Sequence, residues 1–288
     1  MSVKKFYDPR SLTELSAALA ALEGDCHVVA GCTDFLAKRN GKHWEADALV
    51  SVANVAEMKE IVLAEDKLLI GAACVHRQVA ENEHVLRYFP GLSDACGNVG
   101  SPQIRNRGTI GGSLANSSPA GDMLPALLTM DASVVILDGE GKEQTVALDE
   151  FVQPNGRTVL RQGQALIRIE LPLPKENRYF AFRKLGERAY VTIAKLNTAI
   201  SLEVEDGLIR RPLVTMGAVA RRAFFSADGA AALEGKPLTE ETFDGLAAVL
   251  SREIEKAIPT RETMPYKRAA IRGVVDDLYQ LLKARSGQ

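Results

Sequence analysis

Gly100-Ser-Pro-Gln-Ile-Arg-Asn-Arg-Gly-Thr-Ile-Gly-Gly-Ser-Leu-Ala-Asn-Ser-Ser-Pro-Ala-Gly-Asp122 is a long polar, glycine-rich stretch between segments of regular hydrophobic pattern, with Thr109-Ile-Gly-Gly-Ser113 at its centre. A shorter segment, Val28-Val-Ala-Gly-Cys-Thr-Asp34, has the form of a strand running into a tight turn. Glycine lacks a Cβ, so a ligand can approach the main chain closely there. Successive N–H groups in such turns form an anion-binding nest, and the hydroxyls of Thr33, Thr109 and Ser113 add further hydrogen-bonding groups. Two loops of this kind would clasp a diphosphate from both sides. Neither reads G-x-G-x-x-G, and neither has the Gly-Lys-Ser/Thr of a P-loop, so the usual dinucleotide and nucleoside-triphosphate folds are not indicated. Taken singly, each loop also reads as ordinary turn punctuation.

Outward from these loops the chain divides into α/β and α+β texture. Ser11-Leu-Thr-Glu14 has the capping-box form ahead of Leu12, Leu15, Leu19 and Leu22 at helical spacing, and Gly24 ends that helix. Cys26 to Ala30 and Ala48 to Val52 read as strands, with a helix-like stretch between them. Further on, Lys67 to Ala73 reads as a strand, Val75 to Asn82 and Val85 to Cys96 as helices, then Gly97 to Gly121 as loop and Asp122 to Met130 as a helix. Ser133 to Leu137 and Gln144 to Leu148 form a hairpin about Asp138-Gly-Glu-Gly141, and Ala165 to Leu171 is a strand closed by Pro172 and Pro174. That double proline is the best candidate boundary. It separates a domain over 1–174, itself split into lobes 1–55 and 56–174, from a domain over 175–288. The latter has strand candidates at Tyr179 to Lys184, Ile193 to Val204 and Leu213 to Val219, then helices within Ser226 to Leu233, Glu240 to Ala257 and Pro265 to Arg285.

The charge balance, 35 Lys plus Arg against 37 Asp plus Glu, lacks the basic excess that nucleic-acid binding requires. The 288 residues provide enough buried core to fold without a disulfide or structural metal. Cys26, Cys32, Cys74 and Cys96 form no C-x-x-C pair, and no His or Cys repeats at zinc-ligand spacing. Isolated cysteines of this kind, with no apolar run after Lys4 and Lys5 to make a secretory signal, point to reduced thiols and a cytoplasmic location. No apolar stretch approaches the ~20 residues needed to span a bilayer. His27, His43, His76 and His84 show no ligand spacing and receive no chemistry.

In order and wording, Ala30-Gly-Cys-Thr-Asp34, Ile104-Arg-Asn-Arg-Gly-Thr-Ile-Gly-Gly112 and Ser118-Pro-Ala-Gly-Asp122 resemble the FAD-binding (medium) subunits of molybdenum hydroxylases, the xanthine and carbon monoxide dehydrogenase type. The resemblance continues through Phe182-Arg-Lys-Leu-Gly186 with Arg188, Met216-Gly-Ala-Val219 and Pro259-Thr-Arg-Glu-Thr-Met-Pro-Tyr-Lys-Arg268. It implies an α+β fold: a two-lobed FAD-binding domain of the vanillyl-alcohol-oxidase (PCMH) type, then a C-terminal domain of a three-stranded sheet plus a helix bundle. Carried over by position, it implies that Val28, Val29, Ala30, Gly31, Cys32, Thr33, Asp34 and Phe35 wrap the FAD diphosphate together with Thr109, Ile110, Gly111, Gly112 and Ser113. It also implies an acidic contact near the adenosine end at Asp122, apolar flavin contacts at Val99 and Leu166, and a cationic contact at Lys184, for which Arg183 is the alternative alignment. Two positions depart from the family pattern: Cys32 stands where a second glycine is usual, and Ser113 where Asn is usual.

Several of these residues have a plain reading beside the functional one. Asp122 suits a helix N-cap, Arg105 and Arg107 suit a solvated surface, and Tyr190 suits either the flavin ring or an ordinary core. Ala269, Val274, Leu278 and Leu281 read as a core stripe of the last helix. Functionally, the resemblance implies an oxidoreductase subunit with no acid–base catalytic side chain. It would take electrons from [2Fe–2S] centres of a small partner subunit, fed by a large molybdopterin-binding subunit, and pass them from FAD to NAD or another acceptor. The chain itself has no cysteine cluster for an iron–sulfur centre. Two readings from other classes stand beside it, a stand-alone FAD-dependent oxidoreductase and a non-redox scaffold whose FAD site has degenerated.

Overall fold

A computed structural model describes residues 2–188 and 191–287. Its first strand, β1 (Ser2–Tyr7), carries lysines at positions 4 and 5 and shows no apolar alternation. It survives as an edge strand, where lysines both tolerate solvent and discourage pairing with another chain. Helix α1 (Leu12–Ala20) follows, and the capping residues act nearly as expected: Ser11 Oγ accepts from the Glu14 N–H at 3.2 Å, while the Glu14 carboxylate reaches one residue past the N-cap to accept from the Arg10 N–H at 2.7 Å. Strands β2 (Cys26–Val29) and β3 (Glu45–Ser51) complete a parallel sheet in the order β1-β3-β2. The helix-like stretch expected between β2 and β3 is a single 3₁₀ turn, Ala37–Arg39.

The second lobe is a five-stranded antiparallel sheet. It contains β4 (Ile61–Leu63), β5 (Lys67–Gly71), and, after a helical excursion, β6 (Ser133–Asp138), β7 (Glu143–Ala147) and β10 (Gln164–Pro172), in the order β4-β5-β10-β6-β7. A short helix α8 (Leu148–Phe151) and a two-residue ribbon, β8 (Val152–Gln153) with β9 (Arg157–Thr158), lead into β10. β10 is the central strand and is buried along most of its length, as a near-continuous apolar run requires. Its register to β6 shifts between Leu166 and Arg168, so the pairing slips by one residue beside a candidate site residue.

The excursion between β5 and β6 corrects the reading of 97–121 as loop. After α2 (His76–Glu81), the expected helix from Val85 to Cys96 is two helices, α3 (Glu83–Tyr88) and α4 (Pro90–Gly97), because Pro90 cannot continue the first and starts the second. The glycine-rich stretch then folds into α5 (Pro102–Arg105) and α6 (Ile110–Asn116) before α7 (Met123–Leu128). Short helices capped by Ser101 and Thr109 satisfy main chain that an unstructured loop would leave open.

The C-terminal strands β11 (Arg178–Leu185), β12 (Leu196–Glu205) and β13 (Leu208–Gly217) form the expected antiparallel sheet, with a two-residue fourth strand β14 (Phe224–Phe225) at its edge. Three helices, α9 (Ala227–Leu233), α10 (Glu240–Ala257) and α11 (Met264–Ser286), cover it. In α10 the buried residues Phe243, Leu246, Ala247, Leu250 and Ile254 recur at helical spacing. In α11 Val274 and Leu278 are core as expected and Leu281 packs half-buried against it, whereas Ala269 is exposed and Ile271, Val275, Tyr279 and Leu282 complete the stripe. Among the described residues, no helix is long and apolar enough to cross a membrane.

The second lobe and the C-terminal sheet are joined through α4. Fully buried Phe89 meets Phe180 with ring centroids 5.6 Å apart, and Arg285 of α11 donates to both the Phe180 carbonyl and the Asp94 carboxylate. Phe89→Ala is expected to lower unfolding stability by about 3–5 kcal/mol through the cavity it leaves. Urea denaturation checks this, and a loss below about 1 kcal/mol would show that the junction collapses to fill the space.

Candidate functional site

The first glycine loop leaves the carboxyl end of β2, the end at which ligands collect in open parallel sheets. A Cβ on Gly31 would lie 1.7 Å from the Arg107 carbonyl oxygen, so the main chains of the two loops touch at this point and only glycine fits. Cys32 has φ 59°, in the left-handed region, which explains why glycine suits that position. The turn is closed by the Leu36 N–H donating to the Cys32 carbonyl at 3.1 Å and the Lys38 N–H donating to the Asp34 carbonyl at 3.0 Å. Among the described residues, no protein acceptor receives the N–H groups of Gly31, Cys32, Thr33, Asp34 or Phe35. This row of half-exposed donors along a cleft has the form of an anion nest.

The second loop behaves differently from the sequence expectation. From Ile110 to Ser113 its N–H groups are engaged by the protein: Ile110 with the Cys74 carbonyl, Gly111 with the Ala72 carbonyl, Gly112 with Thr109 Oγ, and Ser113 with the Thr109 carbonyl. Its glycines serve packing. A Cβ on Gly111 would meet Ala72 Cβ at 2.4 Å, and one on Gly112 would meet Thr109 Oγ at 2.8 Å. Ile110 is wholly in the core, while Thr109, Gly112 and Ser113 reach the cleft. The nest is therefore built by one loop, and the second loop forms its opposite wall.

His76, which the sequence reading set aside, lies directly beneath that wall. Its N–H donates to the Gly108 carbonyl, and its Nε2 is 3.0 Å from Ser113 Oγ. The ring is 1% exposed and its Nδ1 has no partner among the described residues. Burial, reinforced by the nearby Arg105 charge, pulls the imidazole down to about 4, so it is neutral at pH 7. No spacing pattern marks such a residue, because its contact is with a loop 37 positions away. Burial likewise pushes the Cys32 thiol above its ordinary range, against an opposing pull from Arg107, so the residue beside the nest is a thiol rather than a thiolate.

The remaining expected contacts gather in two places. Leu166 lines a second cleft of about 430 Å³ next to the first, which is about 400 Å³. Val28, Val29, Ala30, Phe35, Gly112 and Ala115 border both, so the two form adjoining parts of one groove between the lobes. Asp122 and Lys184 are brought together, Nζ to Oδ2 at 2.6 Å, with both side chains buried. Lys184 also donates to the Asn98 carbonyl and Asn197 donates to Asp122 Oδ1, so the cluster ties the second lobe to β11 and β12 next to Val99. Burial pushes the Asp122 carboxyl above the usual range, and Lys184 and Asn197 pull it back.

Asp122 occupies the N-cap position of α7, yet its side chain makes no capping hydrogen bond, which corrects the plain reading of that residue. Lys184 rather than Arg183 faces inward, since Arg183 pairs with Asp277 at the surface. Arg105 is not a solvated surface cation: it donates to the Val99 carbonyl at 3.0 Å and holds the turn there. Arg107 is exposed. Lys184, Arg105 and Arg188 border a further hollow with Asn98 and Thr192. Tyr190 lies outside the described residues.

With that geometry in place, comparison with known proteins defines the class. Residues 2–174 match the family described as the FAD binding domain in molybdopterin dehydrogenase, and residues 180–282 match the CO dehydrogenase flavoprotein C-terminal domain. The chain belongs to this family: it is an FAD-binding medium subunit of the molybdenum hydroxylases, and so an oxidoreductase subunit. It is 28% identical over 280 residues to the nicotinate dehydrogenase FAD-subunit of Eubacterium barkeri, covering 96% of this chain and 94% of that one. It is 26% identical over 265 residues to the carbon monoxide dehydrogenase medium chain of Hydrogenophaga pseudoflava, covering 92% of each. A solved structure of carbon monoxide dehydrogenase from that organism superposes with a TM-score of 0.87 at 24% identity, over 98% of this chain and 97% of that one, which shows a common fold.

Two outcomes follow from the loop geometry. An unfolded His76 takes up a proton near its ordinary 6.5 and the folded one only near 4, so stability present above pH 6.5 falls as pH drops through that window. The loss is roughly 3 kcal/mol, and His76→Gln should flatten the slope of denaturation midpoint against pH between 7 and 4; an unchanged slope would assign it elsewhere. Cys32→Gly should raise stability by about 1 kcal/mol by relieving the left-handed backbone, and a lowered urea midpoint would show instead that the thiol packing outweighs the strain.

Proposed function

We propose that this chain is the electron-transfer subunit of its complex, holding FAD in the groove between the lobes. The diphosphate would lie on the N–H row of Gly31 to Phe35, with Thr109, Gly112 and Ser113 as the facing wall. The observation that carries this reading is that row of donors without acceptors. Such a row of open main-chain donors along a cleft is an anion-binding concavity, and a diphosphate supplies several oxygens to it at once. Asp122, held by Lys184 and Asn197, would be the acidic contact near the adenosine end, and Val99 and Leu166 would supply apolar walls to the flavin.

FAD, when bound, supplies reversible redox chemistry that no side chain here provides. The protein's part is to position it, keep the groove apolar along Val28, Val29 and Leu166, and fix the nearby charges. His76, neutral at pH 7, adds no charge beneath the diphosphate wall. Electrons would arrive from [2Fe–2S] centres of a small partner subunit, fed by a large molybdopterin-binding subunit, and leave to NAD or another acceptor. In support, the relatives are described as a medium chain and an FAD-subunit, and the four cysteines of this chain stand apart as free thiols.

The test is the visible spectrum of the purified chain after incubation with FAD and desalting. Retained bands near ~450 nm are expected from a bound flavin, and affinity purification from the native cell should bring molybdenum- and iron-containing partners with it. A chain that stays colourless would favour a scaffold with a degenerate site, and a flavoprotein that copurifies with nothing and turns over alone would favour a stand-alone oxidoreductase.

A further inference from the structure

Two cations line the diphosphate cleft, Lys38 and Arg39, and they differ in what already holds them. The Lys38 ammonium is 2.6 Å from Asp34 and donates to Asn116 Oδ1 at 2.9 Å, so its charge is matched within the loop. Arg39 makes no ion pair among the described residues. Its guanidinium lies 3.8 Å from the centroid of Phe35 and 4.8 Å from that of Trp44. One nitrogen donates to the Phe35 carbonyl at 3.2 Å, and its Nε is buried with no partner among the described residues. A guanidinium on aromatic faces is held in one plane and partly stripped of water while its edge donors remain available.

We propose that Arg39 is the side-chain cation that binds the diphosphate, completing with its charge what the N–H row of Gly31 to Phe35 supplies by dipole; this rests on the FAD reading above. A diphosphate brings about two negative charges, and backbone dipoles alone do not neutralise them. Arg39 joins the cleft through the 3₁₀ turn that continues from the nest, so loop and cation are positioned together. The planar fork suits two phosphate oxygens at once. Arg107, on the facing loop, is exposed and does not line the cleft.

The experiment uses the full chain stripped of flavin, with Trp44, the only tryptophan, as the reporter beside Arg39. FAD is titrated against Trp44 fluorescence at low and high salt, with ADP as a competitor that carries the diphosphate without the flavin. Arg39→Met keeps the aliphatic packing on Phe35 and Trp44 and removes the charge. It is expected to weaken FAD binding by about 10- to 100-fold, the effect of losing a charge-assisted pair. It should also reduce the salt dependence and weaken ADP as a competitor by a similar factor, while Arg39→Lys should restore part of the affinity. A folded Arg39→Met protein, judged by an unchanged melting curve, that binds FAD as tightly as the parent with the same salt dependence would overturn this role alone. A parent chain that binds no FAD would overturn it together with the function proposed above.

Discussion

The site depends on a contact between two main chains. Gly31 lies so close to the Arg107 carbonyl that no side chain fits between them, and this pins the end of β2 to the turn before α6. Everything around the groove follows from that distance. The first loop must turn sharply, which places Cys32 in the left-handed region. The second loop cannot splay away, so Thr109 caps α6, Gly111 packs on Ala72 and Gly112 packs under the Thr109 hydroxyl. A close backbone approach of this kind positions a ligand-binding edge more firmly than side-chain packing would, because side chains can change rotamer and main chains at contact cannot.

The two loops are not equivalent partners. One presents open donors, and the other is internally satisfied and supplies a wall supported by neutral His76. Charge is divided in the same spirit. Lys38 balances Asp34 within the loop, Lys184 balances Asp122 at the junction with the C-terminal sheet, and Arg39 remains at the cleft on an aromatic bed. The buried Asp122–Lys184 pair contributes little net stability after desolvation, but either charge alone would be costly, so the pair specifies how β11 meets the second lobe.

Much of the architecture was legible because periodicity and punctuation are local. The capping box at Ser11, the hairpin at Asp138-Gly-Glu-Gly141 and the helical stripe of α10 each arise from residues within a few positions of one another. Strand β1 was missed because its lysines suit an edge and not a hydrophobic face. The helices α5 and α6 were missed because glycine and polar residues read as loop, although Ser101 and Thr109 cap them. In the site, the motif residues were readable as a set, whereas His76 and Arg39 carry no motif. The partner of His76 is Ser113, 37 positions away, and Arg39 rests on Phe35 and Trp44, sequence neighbours that no motif marks as an aromatic bed.

The sequence by itself determined the family, the α+β class and the two glycine loops, since motif order along a chain is preserved whatever the fold does with it. Only the tertiary structure decided which loop keeps its N–H groups open, that Asp122 pairs with Lys184 instead of capping α7, and that Arg39 faces the cleft without a counter-charge among the described residues. The physical reason is the same in each case. Whether a donor, carboxylate or cation is free depends on what long-range packing places within about 3 Å of it, and that neighbour is set by the meeting of distant segments.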